Sequence, residues 1–227
     1  MSTTPQLDEA IGGPIDGRTA RAVRTRDSLV DATIALVEEG DLRPTAPRIA
    51  ERAGVSVRSV FQHFDDLETL FSAVGSRVVE RLSKLIRPID PAAPLDRRVE
   101  EFVRQRCDVH EAVTPINRAA ILQAPNSVTI NRQFRDGHSF MTAHLAEVFA
   151  VELDASGPQR QALLDAMLVA CSWTTWNLLV TLESRSAEEA TLAVASTVRM
   201  VLTGAGHGSG LASGQTSDAA GAGGSAS

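Results

Sequence analysis

Apolar residues recur at intervals of three and four along most of the sequence between residues 19 and 203. This spacing places them on one face of an α-helix, whereas the alternation that indicates a β-strand is nowhere convincing. Residues 29–37 show the helical pattern with Leu29, Val30, Ile34, Leu36 and Val37. The sequence therefore predicts an all-α fold of about nine helices.

Residues that suit helix ends divide the N-terminal part into four predicted helices. The first extends from about Thr19 or Thr25 to Glu39, and Gly40 can end it in a left-handed conformation. The next three follow N-caps at Thr45, at Ser56, and at Asp65 or Asp66, and they cover about 46–53, 57–64 and 67–78.

A proline-rich break at 88–94 separates this part from the remainder, because proline cannot continue a helix. Beyond the break, helical patterns are predicted at about 95–113, 115–123, 127–151, 157–184 and 186–203. The two ends of the sequence have too few apolar residues to offset the entropy of ordering. Both ends are expected to be disordered.

Gly54 lies between two short predicted helices, as in a helix-turn-helix. It permits positive φ at the turn, and apolar or small side chains can fill the corner at Ile49, Ala50, Val55 and Val60. The second helix of such a motif enters the major groove of DNA. Its outward side chains able to contact base edges or phosphates would be Ser56, Arg58, Ser59, Gln62 and His63. The alternative is an ordinary helical corner with solvated arginines.

The distribution of charge favours the DNA-binding alternative. The formal charge of −6 argues against a wholly basic nucleic-acid coat, yet residues 17–64 contain eight arginines and six acidic residues. Four of these arginines lead into the first helix, at Arg18, Arg21, Arg24 and Arg26. They could form a basic arm that follows a groove or contacts phosphates, or they could be a solvated helix face.

A set of motifs over about residues 19–75 resembles the tetracycline-repressor-like (TetR) regulators. The motifs are the Glu-Glu-Gly end of the first helix, Thr45, Ile49-Ala50, Ala53-Gly54-Val55-Ser56, Val60-Phe61, His63-Phe64, and Leu67 to Phe71. Ala-Gly-Val-Ser alone also occurs in lac-repressor-like regulators. The long preceding helix and the His-Phe ending before an amphipathic helix favour TetR.

The resemblance implies a homodimer that binds a palindromic DNA operator and responds to a small-molecule effector. It implies DNA contacts at Thr45, Arg48, Val57, Arg58, Phe61, Gln62 and His63. Many members have a lysine early in the fourth helix that contacts phosphate, whereas this sequence has Asp65-Asp66-Leu67. That contact is therefore not expected here, and the aspartates are expected to cap the helix.

The combined prediction divides the chain into four parts. They are a flexible arm at 1–17, a helix-turn-helix DNA-binding domain at 18–65, a helical ligand-binding and dimerisation domain at 66–203, and a disordered Gly/Ala/Ser tail at 204–227. In the TetR resemblance the last two helices form a bundle between subunits. The face predicted to serve it comprises Leu192, Ala195, Val198, Met200, Val201 and Leu202.

Polar residues interrupt apolar helix faces in the larger domain. Phe102, Arg106 and His110 lie on one stripe, so the arginine and histidine are expected to face inward. They could hold a ligand in an apolar cavity. Alternatively, Arg106 pairs with a carboxylate such as Asp108, and His110 is a satisfied core residue, because buried charges are usually paired.

The same ambiguity holds for the other candidate ligand residues. Phe134, His138 and Met141 share a second stripe, where a lone histidine can be a ligand contact or part of the core. Trp173, Trp176 and Asn177 lie in the pattern at 157–184, where tryptophans can line a pocket or pack in a core or an interface.

No catalytic motif, metal-ligand spacing or cofactor motif emerges from the sequence. Cys107 and Cys171 are expected to be reduced and buried, although an enzyme that uses one of them with a nearby histidine stays an alternative. No apolar run approaches the ~20 residues that span a bilayer. The sequence thus predicts a soluble, cytoplasmic, non-enzymatic protein.

Overall fold

The computed structural model of the chain describes residues 17–204. These residues form helices with no β-strand among them, and the predicted all-α fold is confirmed. The predicted N-terminal arm and C-terminal tail lie outside the described residues, apart from Gly17 and Gly204 at their inner ends.

Residues 17–204 form ten α-helices, which are α1 Gly17–Glu38, α2 Ala46–Ala53, α3 Val57–His63, α4 Leu67–Ser83, α5 Leu95–Gln123, α6 Val128–Val148, α7 Ala150–Ala155, α8 Arg160–Ala170, α9 Trp173–Asn177 and α10 Ala187–Gly204. Short 3₁₀ turns lie at Ala124–Asn126 and Gly157–Gln159, and a π-helical turn at Leu178–Leu182. The four predicted N-terminal helices thus correspond to α1–α4.

The predicted break between 95–113 and 115–123 is wrong, because α5 continues through Pro115. Proline removes one backbone donor but does not forbid a helix whose flanking groups are bonded otherwise. Next to it, the Thr114 hydroxyl donates to the His110 carbonyl at 2.6 Å and accepts from Trp173 Nε1 at 2.9 Å. These bonds tie the proline-containing turn to α9.

The predicted long helix at 157–184 is also wrong, because it breaks at Cys171 and Ser172. Ser172 has an extended backbone, with ψ 151°, and its hydroxyl accepts from the Thr175 N–H at 3.2 Å. This is an N-cap, which satisfies one of the N–H groups left free at the start of α9. A serine inside an apolar run was the available sequence signal.

One stretch, Gly157–Leu182, is long and apolar enough to cross a membrane by length and composition, contrary to expectation. A core helix of a globular protein meets the same criterion. This stretch is interrupted at Ser172, and several of its side chains are buried in the hydrophobic core, among them Leu163, Met167 and Trp176. Within this stretch, 33% of the apolar window is buried inside the protein.

By internal contacts the described residues divide into two compact units. Unit 1 comprises residues 17–80 and 115–133, and unit 2 comprises 81–114 and 134–204. The functional domain boundaries predicted from the sequence stay a prediction.

Unit 1 is built around the packing of α1 to α4. Gly40 ends α1 with φ 98°, and its N–H donates to the Val37 carbonyl at 3.0 Å, as expected of a left-handed cap. Arg77 of α4 joins two acidic residues of α1, reaching Asp27 at 2.7 Å and Asp31 at 2.8 Å. Local sequence patterns do not reveal this ionic link, because its partners lie about fifty positions apart.

Unit 2 has a core formed by α5 to α10, in which part of the predicted dimerisation face is used. Ala195, Val198 and Leu202 of α10 are buried in this core, whereas Leu192 and Met200 are 61% and 64% exposed. The predicted face therefore has an inner half, which packs in the core of unit 2, and an outer half, which is exposed. Only its outer half is free to contact a second subunit.

A buried ion pair joins α5 to α7 within unit 2. Arg98 is 4% exposed and donates to Glu152 Oε2 at 2.9 Å, to the Val148 carbonyl at 2.8 Å and to the Ala93 carbonyl at 2.9 Å. The hydrogen bond from Arg98 holds the pKa of Glu152 below its ordinary value. Every part of this guanidinium thus has a partner nearby.

Replacing Glu152 by Ala should therefore lower the free energy of unfolding by about 3–5 kcal/mol, because Arg98 would stay buried without its carboxylate. Urea denaturation measures the loss. The matched control is Asp154→Ala on the same helix, whose exposed pair with Arg160 should contribute less than about 1 kcal/mol.

The difference between wild type and the Glu152 variant should also depend on pH. Because the folded pKa of Glu152 is lowered, its contribution is complete above the unfolded pKa and is lost as the pH falls through the folded pKa. Equal losses for the two variants at neutral pH would contradict the assignment.

Candidate functional site

The corner between α2 and α3 forms where backbone and sequence agree. Gly54 has φ 68° and ψ 32°, a left-handed conformation that favours glycine, and the Val55 N–H donates to the Ala50 carbonyl at 2.9 Å. The Ser56 hydroxyl then accepts from the Ser59 N–H at 3.2 Å, which begins α3 as predicted.

Buried side chains hold α3 in its orientation. Ile49, Val60 and Phe64 are at most 2% exposed and belong to the core of unit 1. Arg26 of α1 places its guanidinium 4.2 Å from the centre of the Phe64 ring and donates to the His63 carbonyl at 2.8 Å. The end of α3 is therefore fixed against α1 by both apolar and charged contacts.

The four N-terminal arginines belong to a helix and do not form a separate basic arm, which was one of the two alternatives. Arg18, Arg21, Arg24 and Arg26 all lie within α1, which begins at Gly17. Arg26 stabilises the corner, while Arg21 and Arg24 are exposed on the helix surface. The basic residues are thus presented by a regular helix.

The outward face of α3 carries most of the residues proposed for DNA contact. Arg58 and Gln62 are exposed, and Val57 and Phe61 are 40% and 51% exposed. His63 is half-buried and lies at the helix end. Arginine can pair with guanine, glutamine with adenine, and an apolar side chain can contact the thymine methyl group.

The remaining predicted contacts surround this face. Ser56 is exposed, but its hydroxyl caps α3. Thr45 occupies the N-cap position of α2 without a side-chain capping bond, so its exposed hydroxyl is available to a phosphate. Arg48 is exposed and contacts Asp41 at 2.8 Å.

Arginines in the corner differ in their ionic partners. Arg52 forms a double hydrogen bond with Glu39, and Arg48 reaches Asp41, so both have intramolecular carboxylates. Across residues 17–204, Arg58 is part of no ion pair. Arg58 is accordingly the arginine of α2 and α3 whose charge is free for an external anion or base.

The start of α4 confirms the predicted capping role of an aspartate. Asp66 Oδ1 accepts from the Thr69 N–H at 2.7 Å and from the Thr69 hydroxyl at 2.9 Å, which lowers the pKa of Asp66. The helix begins at Leu67, directly after this cap. A carboxylate thus occupies the helix start where the TetR resemblance would place a basic residue nearby.

The candidate ligand residues of unit 2 separate into distinct groups. Phe102, Arg106 and His110 are buried on one face of α5, as expected from their spacing. The alternative in which Arg106 pairs with a carboxylate such as Asp108 is wrong, since Asp108 is exposed and two nitrogens of Arg106 have no partner. Burial lowers the pKa of Arg106.

His110 is a bonded core residue. Its Nε2 lies 2.8 Å from the Cys171 carbonyl, which can only accept, so Nε2 donates. Burial lowers the pKa of His110 to about 4 and keeps the ring neutral at physiological pH. The break after Cys171 frees this carbonyl from a regular helical bond.

The other candidates differ in burial. Met141 and Trp176 are buried, Phe134, Trp173 and Asn177 are half-buried, and His138 is exposed. His144 instead lies beside Phe102, with ring centres 5.0 Å apart, and its Nδ1 has no partner. His144 is not among the predicted residues, although it follows Met141 by three positions and precedes Val148 by four, as a residue of the same helix face does.

The two cysteines are unsuited to nucleophilic chemistry. Both are buried, and burial raises the pKa of the Cys107 thiol and raises that of Cys171 to about 12. A thiol with so high a pKa carries almost no thiolate near neutral pH, which disfavours a cysteine-dependent enzyme. Within the described part of the chain, no three His, Cys, Asp or Glu side chains converge to hold a metal.

Residues 29–74 match the model of the bacterial regulatory proteins of the tetR family. The matched segment begins within α1 and contains α2, α3 and the first half of α4. It therefore includes all eight residues proposed for DNA contact. No curated protein matches the sequence significantly.

Several solved structures share the fold. A TetR-family transcriptional regulator from Streptomyces coelicolor has a TM-score of 0.61 at 18% identity, covering 80% of this chain and 89% of that one. One from Mesorhizobium loti has a TM-score of 0.60 at 22% identity, covering 81% and 97%. A transcriptional regulator from Rhodococcus has a TM-score of 0.57 at 19% identity, covering 81% and 96%.

The two phenylalanines of this corner provide a test of its construction. Phe64→Ala should lower the free energy of unfolding by about 3–5 kcal/mol, because it opens a cavity in the core of unit 1. Phe61→Ala should change it by less than about 0.5 kcal/mol, because that ring is 51% exposed. Chemical denaturation of both variants measures the difference, and a similar loss in each would show that α3 is packed otherwise.

Proposed function

We propose that this chain, a TetR-family regulator by its N-terminal segment and its fold, is a sequence-specific repressor that binds a palindromic operator as a homodimer and is released by a small-molecule effector. We also propose a cytoplasmic location, where the operator and the effector are accessible.

The observation that carries the proposal is the division of α3 into two faces. Val60 and Phe64 fix the helix from inside, while Val57, Arg58 and Phe61 project from the other side. Leaving the Phe61 ring in water is unfavourable, and the ring is not needed for packing because it is 51% exposed. Both side chains suit the floor of a major groove, which offers thymine methyl groups and guanine acceptors.

Binding as a dimer supplies the affinity that one short helix lacks. Two recognition helices must lie about 34–36 Å apart to enter successive major grooves of B-DNA. Operator symmetry then mirrors the two-fold axis of the dimer. Thr45 and Arg48 would contact phosphates at each half-site, and Ser56, Gln62 and His63 would supply shorter polar contacts near the base edges.

The effector would act by selecting between conformers of the dimer. A ligand bound in unit 2 that prefers a spacing unsuited to DNA lowers operator affinity by its differential affinity for the two states, typically about 1–3 kcal/mol. The residues that we propose for its binding are Phe102, Arg106, His110, Phe134, His138, Met141, Trp173, Trp176 and Asn177.

A second candidate function is a ligand-binding or interaction module of the same fold without specific DNA binding. The formal charge of −6 and the two aspartates before α4 favour it, because both weaken attraction to phosphates. The exposed face of α3 has no role in that alternative. Selection of bound fragments from genomic DNA separates the two functions, and a failure to enrich any palindrome would favour the second.

Replacing Arg58 by Ala should remove about 1–3 kcal/mol of operator affinity, because it deletes a direct base contact. Fluorescence anisotropy with the selected operator and with random DNA measures both affinity and discrimination. Arg104→Ala is the control, since it removes the same charge from an exposed position on α5. Discrimination that stays unchanged in the Arg58 variant would exclude this residue from base recognition.

Introducing charge on the outer face of α10 should dissociate the dimer. Leu192→Asp together with Met200→Asp places two carboxylates where an apolar interface is proposed, at residues exposed in the single chain. Sedimentation equilibrium should show a monomer, and circular dichroism should show unchanged helical content. Val151→Asp, at a similarly exposed valine of α7, is the control and should leave the dimer intact.

A further inference from the structure

Arg106 is a buried cation without a counterion. The residue is 5% exposed, and neither its Nε nor its Nη2 has a hydrogen-bond partner. No carboxylate in the described part of the chain pairs with it. A charge removed from water without a partner costs several kcal/mol, so an external group that supplies the missing acceptors would gain a strong interaction.

The two unpaired nitrogens define the shape of that group. Nε–H and the adjacent Nη2–H lie on one edge of the planar guanidinium and point in parallel, which matches the two oxygens of a carboxylate. Both atoms can only donate, so the partner must be an acceptor. An anion satisfies the charge as well, which a neutral amide or alcohol does not.

Aromatic rings surround the guanidinium. Its central carbon lies 5.7 Å from the centre of the Phe102 ring and 5.9 Å from that of Phe140. His144 stands between these rings, 5.0 Å from Phe102 and 6.0 Å from Phe140, and its Nδ1 also has no partner. These surroundings suit an apolar or aromatic group attached to the carboxylate.

Phe140 and His144 also line a groove that opens to the surface of unit 2. The groove has a volume of about 370 Å³, within the range of small-molecule sites. Its other lining residues are Ile86, Arg87, Pro88, Ile89, Ala143, Glu147 and Val148. Most of this lining is apolar, and Arg87 and Glu147 carry opposite charges.

We propose that unit 2 binds a small organic carboxylate with an apolar body, whose two oxygens accept from Nε and Nη2 of Arg106 while the body packs against Phe102, Phe140 and His144 and extends toward the groove. This inference rests on the proposed function only in taking the bound carboxylate as the effector. Binding itself does not require DNA.

Isothermal titration calorimetry of the full chain tests the assignment, with benzoate, phenylacetate and octanoate as probes and benzamide and octanamide as their neutral counterparts. At least one carboxylate should bind, and its amide should bind about 10–100-fold more weakly, as loss of charge-assisted hydrogen bonds predicts. The aromatic and aliphatic probes distinguish the two kinds of apolar body. Saturation by inorganic phosphate with no response to the organic acids would overturn the proposal.

Variants of Arg106 separate ligand binding from a structural role. Arg106→Met should abolish the response to the carboxylate, yet its melting temperature should equal or exceed that of the wild type, because an unpaired buried charge is removed. Arg104→Met on the same helix should bind normally. Arg106→Lys keeps the charge but loses the two parallel N–H donors, and should bind the carboxylate more weakly than the wild type.

Two outcomes contradict the inference. Carboxylate binding undiminished in Arg106→Met would place the site elsewhere, and a strongly lowered melting temperature in that variant would show that Arg106 has a structural partner. Operator binding is then measured separately with the same carboxylate. Binding without any change in operator affinity would preserve the carboxylate site while excluding it as the effector site.

Discussion

The burial of Val60 and Phe64 beneath α3 is the interaction on which the candidate DNA-binding surface depends. A seven-residue helix is too short to be stable alone, so its orientation comes from tertiary packing. Because Phe64 is covered by Arg26 and by the core of unit 1, the opposite face of α3 is held outward. Replacing apolar surface at Val57 and Phe61 would cost the fold little, so their exposure points to an external contact.

The N-terminal part of the fold could be predicted because its signals are local. Gly40, Gly54, Ser56 and Asp66 each act on residues within five positions, and the structure shows the left-handed glycines and the caps that these residue types indicate. The eight DNA-contact residues stay a prediction in their roles, although the structure exposes seven of them at the surface and half-buries His63.

The parts that could not be predicted depend on distant partners. Helix α5 continues through Pro115 with support from Trp173, which lies 59 positions from Thr114. The cap at Ser172 competes with a helical pattern that periodicity alone would extend. For the same reason periodicity points to His138, which is exposed, and not to the half-buried His144, since the face that a long helix buries is decided by the elements packed against it.

Helix α5 has two buried arginines, and a comparison of their partners indicates the role of Arg106. Arg98 and Arg106 are two helical turns apart and almost equally buried, at 4% and 5% exposure. Arg98 has a carboxylate and two carbonyls as partners, so this helix can satisfy a buried guanidinium when stability is the only requirement. Arg106 lies near two aromatic rings instead, and its Nε and Nη2 have no hydrogen-bond partner. The contrast favours a site whose acceptor is supplied from outside, because a structural arginine at this position could have been matched as Arg98 is.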